Sequence, residues 1–316
     1  MLTDKEACKT GQGEERTGKQ QALGVVLFEG VNVTKGLPRA ISELRETSAM
    51  ARQVLDAAFR MISSQIARVE DKQTREALFP SDLISVIMME QGKPQSPPPL
   101  TKTTTTTEEQ RSLPTHIGMA ITVAFQVALF AATHENQQKK KKEIASGDER
   151  EHEKINEASE IKLIGHSSGI ASALAVSTSW KSTTDESKTT TFNLETLIKA
   201  MEKIVFALFW AGFHVQVAVK EAGHSIYEKW AASVKTTKEE ISDQIKEFNS
   251  RDQQRHGDDM IEISGMNSKN RVNIVGTSES LERFHKMLPE TIKMTMISLT
   301  QPVHCSRFQN LFQIVC

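Results

Sequence analysis

Gly165-His166-Ser167-Ser168-Gly169 follows directly on the apolar run Ile161-Lys162-Leu163-Ile164. The pattern G-x-S-x-G suits a serine whose hydroxyl projects from a sharp turn between a buried strand and a helix. Glycines on either side remove the Cβ atoms that would block the bend. The chemistry of such a serine is nucleophilic: it attacks a carbonyl and carries the acyl group as an ester. Ile170-Ala171-Ser172-Ala173-Leu174-Ala175-Val176 suits a small-residue helix laid close on a sheet. Its N-terminus would direct backbone N–H groups and a positive dipole end at an oxyanion above Ser167. The same pentapeptide also occurs in loops that do no chemistry, so the motif alone leaves a plain turn open.

A nucleophilic serine needs a base. Of the nine histidines, His134 and His152 lie in a polar stretch and His256 in a charged one. His116, His214 and His224 sit in or beside apolar helical patterns, where a satisfied core histidine is the simpler reading, and His285 lies on an amphipathic one. His166 precedes the serine, faces away from it if the elbow forms, and is expected to line the pocket. His304 follows an apolar run in the loop Thr300-Gln301-Pro302-Val303-His304-Cys305-Ser306. A loop at the end of a strand, far along the chain, is where a base for such a serine tends to sit.

The elements that must position these groups follow from periodicity. Residues 1–20 are polar and aperiodic, which predicts disorder. Gly24 to Phe28 reads as a short buried strand, and Pro38 to Val69 carries apolar residues at helical spacing. Leu83 to Met89 reads as another helical segment, and Ile117 to Thr133 and Ile204 to Val219 as buried core helices. Residues 94–112, 134–157 and 181–191 are low in complexity and read as exposed insertions in surface loops. The strand–helix alternation predicts an α/β fold with a parallel sheet over residues 21–230. From 231 to 299 the pattern becomes helix (Thr237–Phe248), strand (Met260–Ser264), turn (Met266–Asn270), strand (Arg271–Gly276), helix (Glu279–Leu288), strand (Lys293–Leu299). That run predicts a small ferredoxin-like α+β subdomain, after which residues 300–316 return to the larger domain with His304.

A net charge of −1 does not fit a chain organised around nucleic-acid phosphates. Three scattered cysteines, Cys8, Cys305 and Cys316, suit neither a disulfide framework nor a zinc site, so no metal is expected and a reducing, cytoplasmic setting fits best. The N-terminus lacks the apolar core of a signal peptide, and the Ile117–Thr133 stretch is shorter than the ~20 residues a bilayer span needs. A soluble protein without membrane contact is the expectation.

G-H-S-x-G followed by a small-residue helix resembles the acyltransferases of fatty acid and polyketide synthases. More closely, the chain resembles the starter acetyltransferase domain of the fungal-type fatty acid synthase β subunit and the starter-unit acyltransferase domains of fungal polyketide synthases. Phe79-Pro80-Ser81-Asp82-Leu83 to Met88-Met89-Glu90 is similar to the family's helix before a variable loop, and Pro114 to Thr133, with Gln126, to its helix upstream of the nucleophile. Leu208-Phe209-Trp210-Ala211-Gly212, the pattern Asn267…Gly276…Ser280-Leu281, and Pro302-Val303-His304-Cys305 are similar to three further family signatures in order. The resemblance implies an acyltransferase fold, with an α/β-hydrolase-like parallel-sheet large domain and the small ferredoxin-like subdomain. It implies Ser167 as nucleophile, His304 as base, the N–H groups of Ser168 and Val31 as oxyanion hole, the main-chain carbonyl of the Asn267 segment orienting the histidine, and His166, Gln126 and Glu202 lining the pocket. Acyl-CoA, acetyl-CoA above all, would be the substrate with no permanently bound cofactor. The partners would be the phosphopantetheine arm of an acyl carrier protein and other fatty acid synthase domains or subunits.

The chain departs from the pattern at Phe28-Glu29-Gly30-Val31-Asn32, where the family has F-G-G-Q-G, and at Ser168, where glutamine is usual. Malonyl-selecting relatives carry an arginine fork near the position of Glu202, and Lys199 and Lys203 do not reproduce it. An uncharged acyl group is expected. The family's closing helices are expected to be missing after Cys316. A serine hydrolase and a truncated, non-catalytic acyltransferase-like module remain alternatives.

Overall fold

The computed structural model describes residues 23–28, 37–79, 115–146, 160–165, 168–182, 190–225, 228–256, 260–297 and 299. A helical core occupies the first part. Helices α1 (Leu37–Thr47), α2 (Ala49–Ala67) and α3 (Lys72–Leu78) precede the long α4 (Thr115–Ser146). Strands β1 (Leu23–Phe28) and β2 (Glu160–Gly165) pair in parallel, followed by α5 (Ser168–Thr178), the short hairpin β3 (Trp180–Ser182) and β4 (Thr190–Phe192), and α6 (Leu194–Glu221). α2, α4 and α6 pack on one another, and α5 packs on α4, α6 and both parallel strands.

Local chemistry sets the helix ends. Ser48 caps α2 by accepting from Ala51 N at 3.1 Å, and Asn193 caps α6 by accepting from Thr196 N at 2.8 Å. α6 stops at Gly223, whose φ of 86° is open to glycine at little cost, with His224 N donating to Val219 O and Gly223 N to Lys220 O. Buried Val54, Leu55, Ala58, Ile62 and Ile66 line one stripe of α2, as the helical spacing predicted. The first half of α4 is buried nearly all round, from Ile117 through Ala132, which makes it the central helix.

Two findings revise the sequence reading here. The polar stretch from His134 is not a loop at its start, because α4 runs on to Ser146. His134 packs its ring 4.2 Å from that of Phe192 and edge-on to Trp180. The borders of the 181–191 stretch likewise pair as β3 and β4, closing that aromatic cluster. With this extension, Ile117–Glu143 and Leu194–Glu221 are long and apolar enough to cross a membrane by length and composition. Of the apolar window in the first, 61% is buried within the protein, and both helices join one core. The Leu83–Met89 segment lies outside the described residues.

The remaining elements form a second unit: β5 (Ala231–Lys235), α7 (Lys238–His256), β6 (Glu262–Ser268), β7 (Arg271–Val275), α8 (Ser278–Met287) and β8 (Lys293–Ile297). The antiparallel sheet has the order β6-β7-β5-β8, the ferredoxin-like arrangement. One face, through Ala232, Val234, Val272 and Ile274, packs on Ile241, Ile245 and Phe248 of α7 and Leu281 and Phe284 of α8. The opening strand β5 was absent from the sequence pattern, because Ala-Ala-Ser has little strand propensity of its own. Met266, Asn267 and Ser268, read as turn, belong to β6, and the reversal is confined to Lys269-Asn270.

Candidate active site

β2 ends at Gly165 and α5 begins at Ser168, so two residues separate strand from helix. The approach is close. A Cβ on Gly165 would lie 2.5 Å from Gly169 O and from Ile170 Cα, both backbone atoms that a side-chain rearrangement cannot move aside. Only glycine ends this strand against the first turn of this helix. β1 runs in parallel register with β2, Phe28 opposite Gly165, so the carboxyl ends of both strands meet beside the N-terminus of α5. In open α/β sheets that edge is where ligands bind, and the free N–H groups of the helix start favour negative charge there.

α5 carries no charged residue, and its Ala175, Val176 and Ser172 are buried. Ser172 Oγ donates to Gln126 Oε1 of α4 at 2.6 Å. This bond holds the helix one turn past its start, and only the fold shows it, since the two residues are far apart in sequence. Ile164, Ile170 and Leu174 point outward and are about half exposed.

His166, Ser167, Val31 and His304 lie outside the described residues, as does the side chain of Ser168, whose backbone opens α5. Gln126 stands beside α5 in the brace just described. Glu202 lies elsewhere: with Met61, Lys199, Lys203 and Phe206 it lines an open groove of about 380 Å³ between α2 and α6, to which neither β2 nor α5 contributes. Asn267 is exposed on β6, and its side-chain amide exchanges two 3.2 Å hydrogen bonds with Asn273. The hairpin tip bearing it is at the end of the sheet opposite Ile297, from which the chain leaves toward residue 304. The structure thus places Gln126 against α5 one turn beyond the Gly165–Ser168 junction, and Glu202 in a groove whose described lining comes from α2 and α6.

Four described histidines have other engagements. His224 Nδ1 lies 3.0 Å from Glu228 Oε2 and its ring is edge-on to Trp230; His134 joins the Phe192 cluster, His214 lies against Trp210, and His285 is in the last turn of α8. Desolvation, with Lys141 nearby, holds His134 below the ordinary imidazole pKa. Among the described residues no cluster of histidine, cysteine, aspartate or glutamate is arranged to hold a metal ion.

The model of a protein family described as "Starter unit:ACP transacylase in aflatoxin biosynthesis" matches residues 39–304. Among solved structures, the malonyl CoA-acyl carrier protein transacylase of Coxiella burnetii is similar at 17% identity and a TM-score of 0.51, covering 93% of this chain and 67% of that one. The corresponding transacylase of Clostridium perfringens is similar at 14% identity and a TM-score of 0.50, covering 93% of this chain and 66% of that one. These likenesses show the acyltransferase fold, and the chain spans about two thirds of the length of the proteins it matches. No curated protein matches the sequence.

Proposed function

The chain belongs to the starter unit:ACP transacylase family, and on that premise we propose that it moves an acyl group, acetyl above all, from coenzyme A to the phosphopantetheine thiol of an acyl carrier protein. The observation that carries this reading is the contact of Gly165 with the backbone of Gly169 and Ile170, which sets a strand end hard against a helix N-terminus. In the proposed scheme Ser167 Oγ attacks the thioester carbonyl as His304 takes its proton. The N–H groups of Ser168 and Val31 stabilise the oxyanion. Collapse breaks the C–S bond, and the CoA thiolate leaves with the proton from His304 as free thiol. In the second half His304 takes the proton of the carrier thiol, which attacks the ester, and Ser167 regains its proton.

Asn267 would enter this scheme through its main-chain carbonyl, orienting His304, while its side-chain amide is engaged with Asn273. Neither α5 nor α6 contains an arginine, so these helices offer no bidentate fork for a malonyl carboxylate, which supports an uncharged acyl group. The test is incubation with radiolabelled acetyl-CoA followed by mass spectrometry. Label on Ser167 is expected, abolished in Ser167→Ala, with both half-reactions slowed at least ~100-fold in His304→Ala. Absence of label from any short acyl-CoA overturns the catalytic reading. Label that passes only to water when carrier is present makes the protein a hydrolase.

A further inference from the structure

The ferredoxin-like sheet has two unlike faces. The face away from α7 and α8 carries Ala231, Ser233 and Lys235 on β5, Arg271, Asn273 and Val275 on β7, and Lys293, Thr295 and Ile297 on β8. At one end it is closed, where Ala231 and Val275 are buried and pack with Ile297 and Leu299. At the other end it is open. There Lys293 is the direct cross-strand partner of Lys235, and Arg271 faces Lys235 one step past the pair Val234–Val272. Three exposed cationic residues thus stand in a row across three neighbouring strands, their Cα atoms about 5 Å from one to the next.

Like charges directly opposed in a sheet cost stability, and nothing here relieves them. Among the described residues none of the three side chains makes an ion pair or hydrogen bond, and β5, β7 and β8 contain no acidic residue. The chain as a whole has a net charge of −1, so the row is not the by-product of a basic composition.

We propose that this end of the open face docks an acidic protein surface, that of the acyl carrier protein, while the acyl group is transferred. The proposal rests on the acyl-transfer reading above. Magnitude favours a protein over the phosphates of free coenzyme A. Exposed ion pairs contribute only up to about 1 kcal/mol each, too little to hold a small molecule on an open surface. Across a protein interface the same charges add to other contacts, steer encounter and fix orientation.

The test separates docking from chemistry by using the full chain as Ser167→Ala. A fluorescently labelled holo acyl carrier protein from bacterial fatty acid synthesis is the probe, read by anisotropy. Lys235→Glu, Arg271→Glu and Lys293→Glu should each weaken binding roughly 3-fold or more, the triple variant should abolish it, and the salt dependence should flatten. Lys246→Glu, on α7 at the other side of the sheet, should leave binding as it was. Circular dichroism melts confirm folding of each variant, and the three lysine or arginine to glutamine changes give a milder series. Carrier binding indifferent to the triple reversal, no binding by the parent, or a loss that falls on free coenzyme A instead overturns the proposal. If the carrier binds through the row but wild-type protein takes no label, the docking stands and the transfer reading fails. If Ser167 takes label and passes it equally well in the triple variant, the docking alone fails.

Discussion

The junction of β2 with α5 and the open end of the ferredoxin-like sheet place their groups in opposite ways. At the junction, backbone approaches backbone so closely that Gly165 tolerates no Cβ, and the helix behind is held by small buried residues and the Ser172–Gln126 bond. At the sheet, ordinary pleating alternates side chains between a buried face and an exposed one, and the charged row is a consequence of register. The first is position by exclusion; the second is position by pairing. A group held by exclusion is displaced when a single atom is added, whereas one held by pairing can be changed without disturbing its neighbours.

The largest test of that contrast is Gly165→Ala. Its methyl would meet backbone atoms at 2.5 Å, so strand and helix must separate. We expect a cost of about 3 kcal/mol or more and loss of acetyl labelling, measured by denaturant unfolding and the labelling assay. Retention of full labelling would break the argument from exclusion.

An intermediate effect is expected in the helical core at Glu135 of α4. Its carboxylate accepts from Lys139 Nζ, from Ser48 Oγ at 2.6 Å and from Met50 N at 3.0 Å, and is 12% exposed. Those hydrogen bonds, Lys139's foremost and then those of Ser48 and Met50, lower its pKa from an ordinary 4.5 to about 2. A carboxylate lowered on folding stabilises the protein fully above its unfolded value and loses that contribution as pH falls toward the folded one. Stability should therefore fall as pH drops from 4.5 toward 2 through this group, by on the order of 1 kcal/mol given solvent screening around the exposed Lys139. In Glu135→Gln that part of the pH dependence should vanish, as thermal melts across the range would record.

The smallest effect belongs to the sheet. Lys235→Thr removes the central charge of the row and places a β-branched residue in a strand, so stability should rise by roughly 0.5 kcal/mol while carrier binding falls. A gain in melting temperature without loss of binding would detach the row from function.

Much of the junction was legible in the chain. G-x-S-x-G, the apolar run before it and the small residues after it are neighbours in sequence, and their conformational demands are local. The helices of the core were equally readable, because spacing at 3.6 residues is a local property. Other features escaped. β5 opens on alanines and becomes a strand only because β7 and β8 flank it. His134 was read as part of a polar insertion, yet α4 continues through it and Trp180 and Phe192 close around it. Glu202 sits on α6 in a groove with α2 rather than beside α5, a matter of which helix packs on which face.

The amino-acid sequence by itself determined the strand-to-helix junction, the helical periods and the family, since each is written in residues close together or in the order of short segments along one chain. The tertiary structure alone decided that Lys235, Arg271 and Lys293 stand in one row and that Ser172 reaches Gln126. Cross-strand register and helix packing are set by long-range pairing, so the neighbours they create have no spacing in sequence from which they could be read.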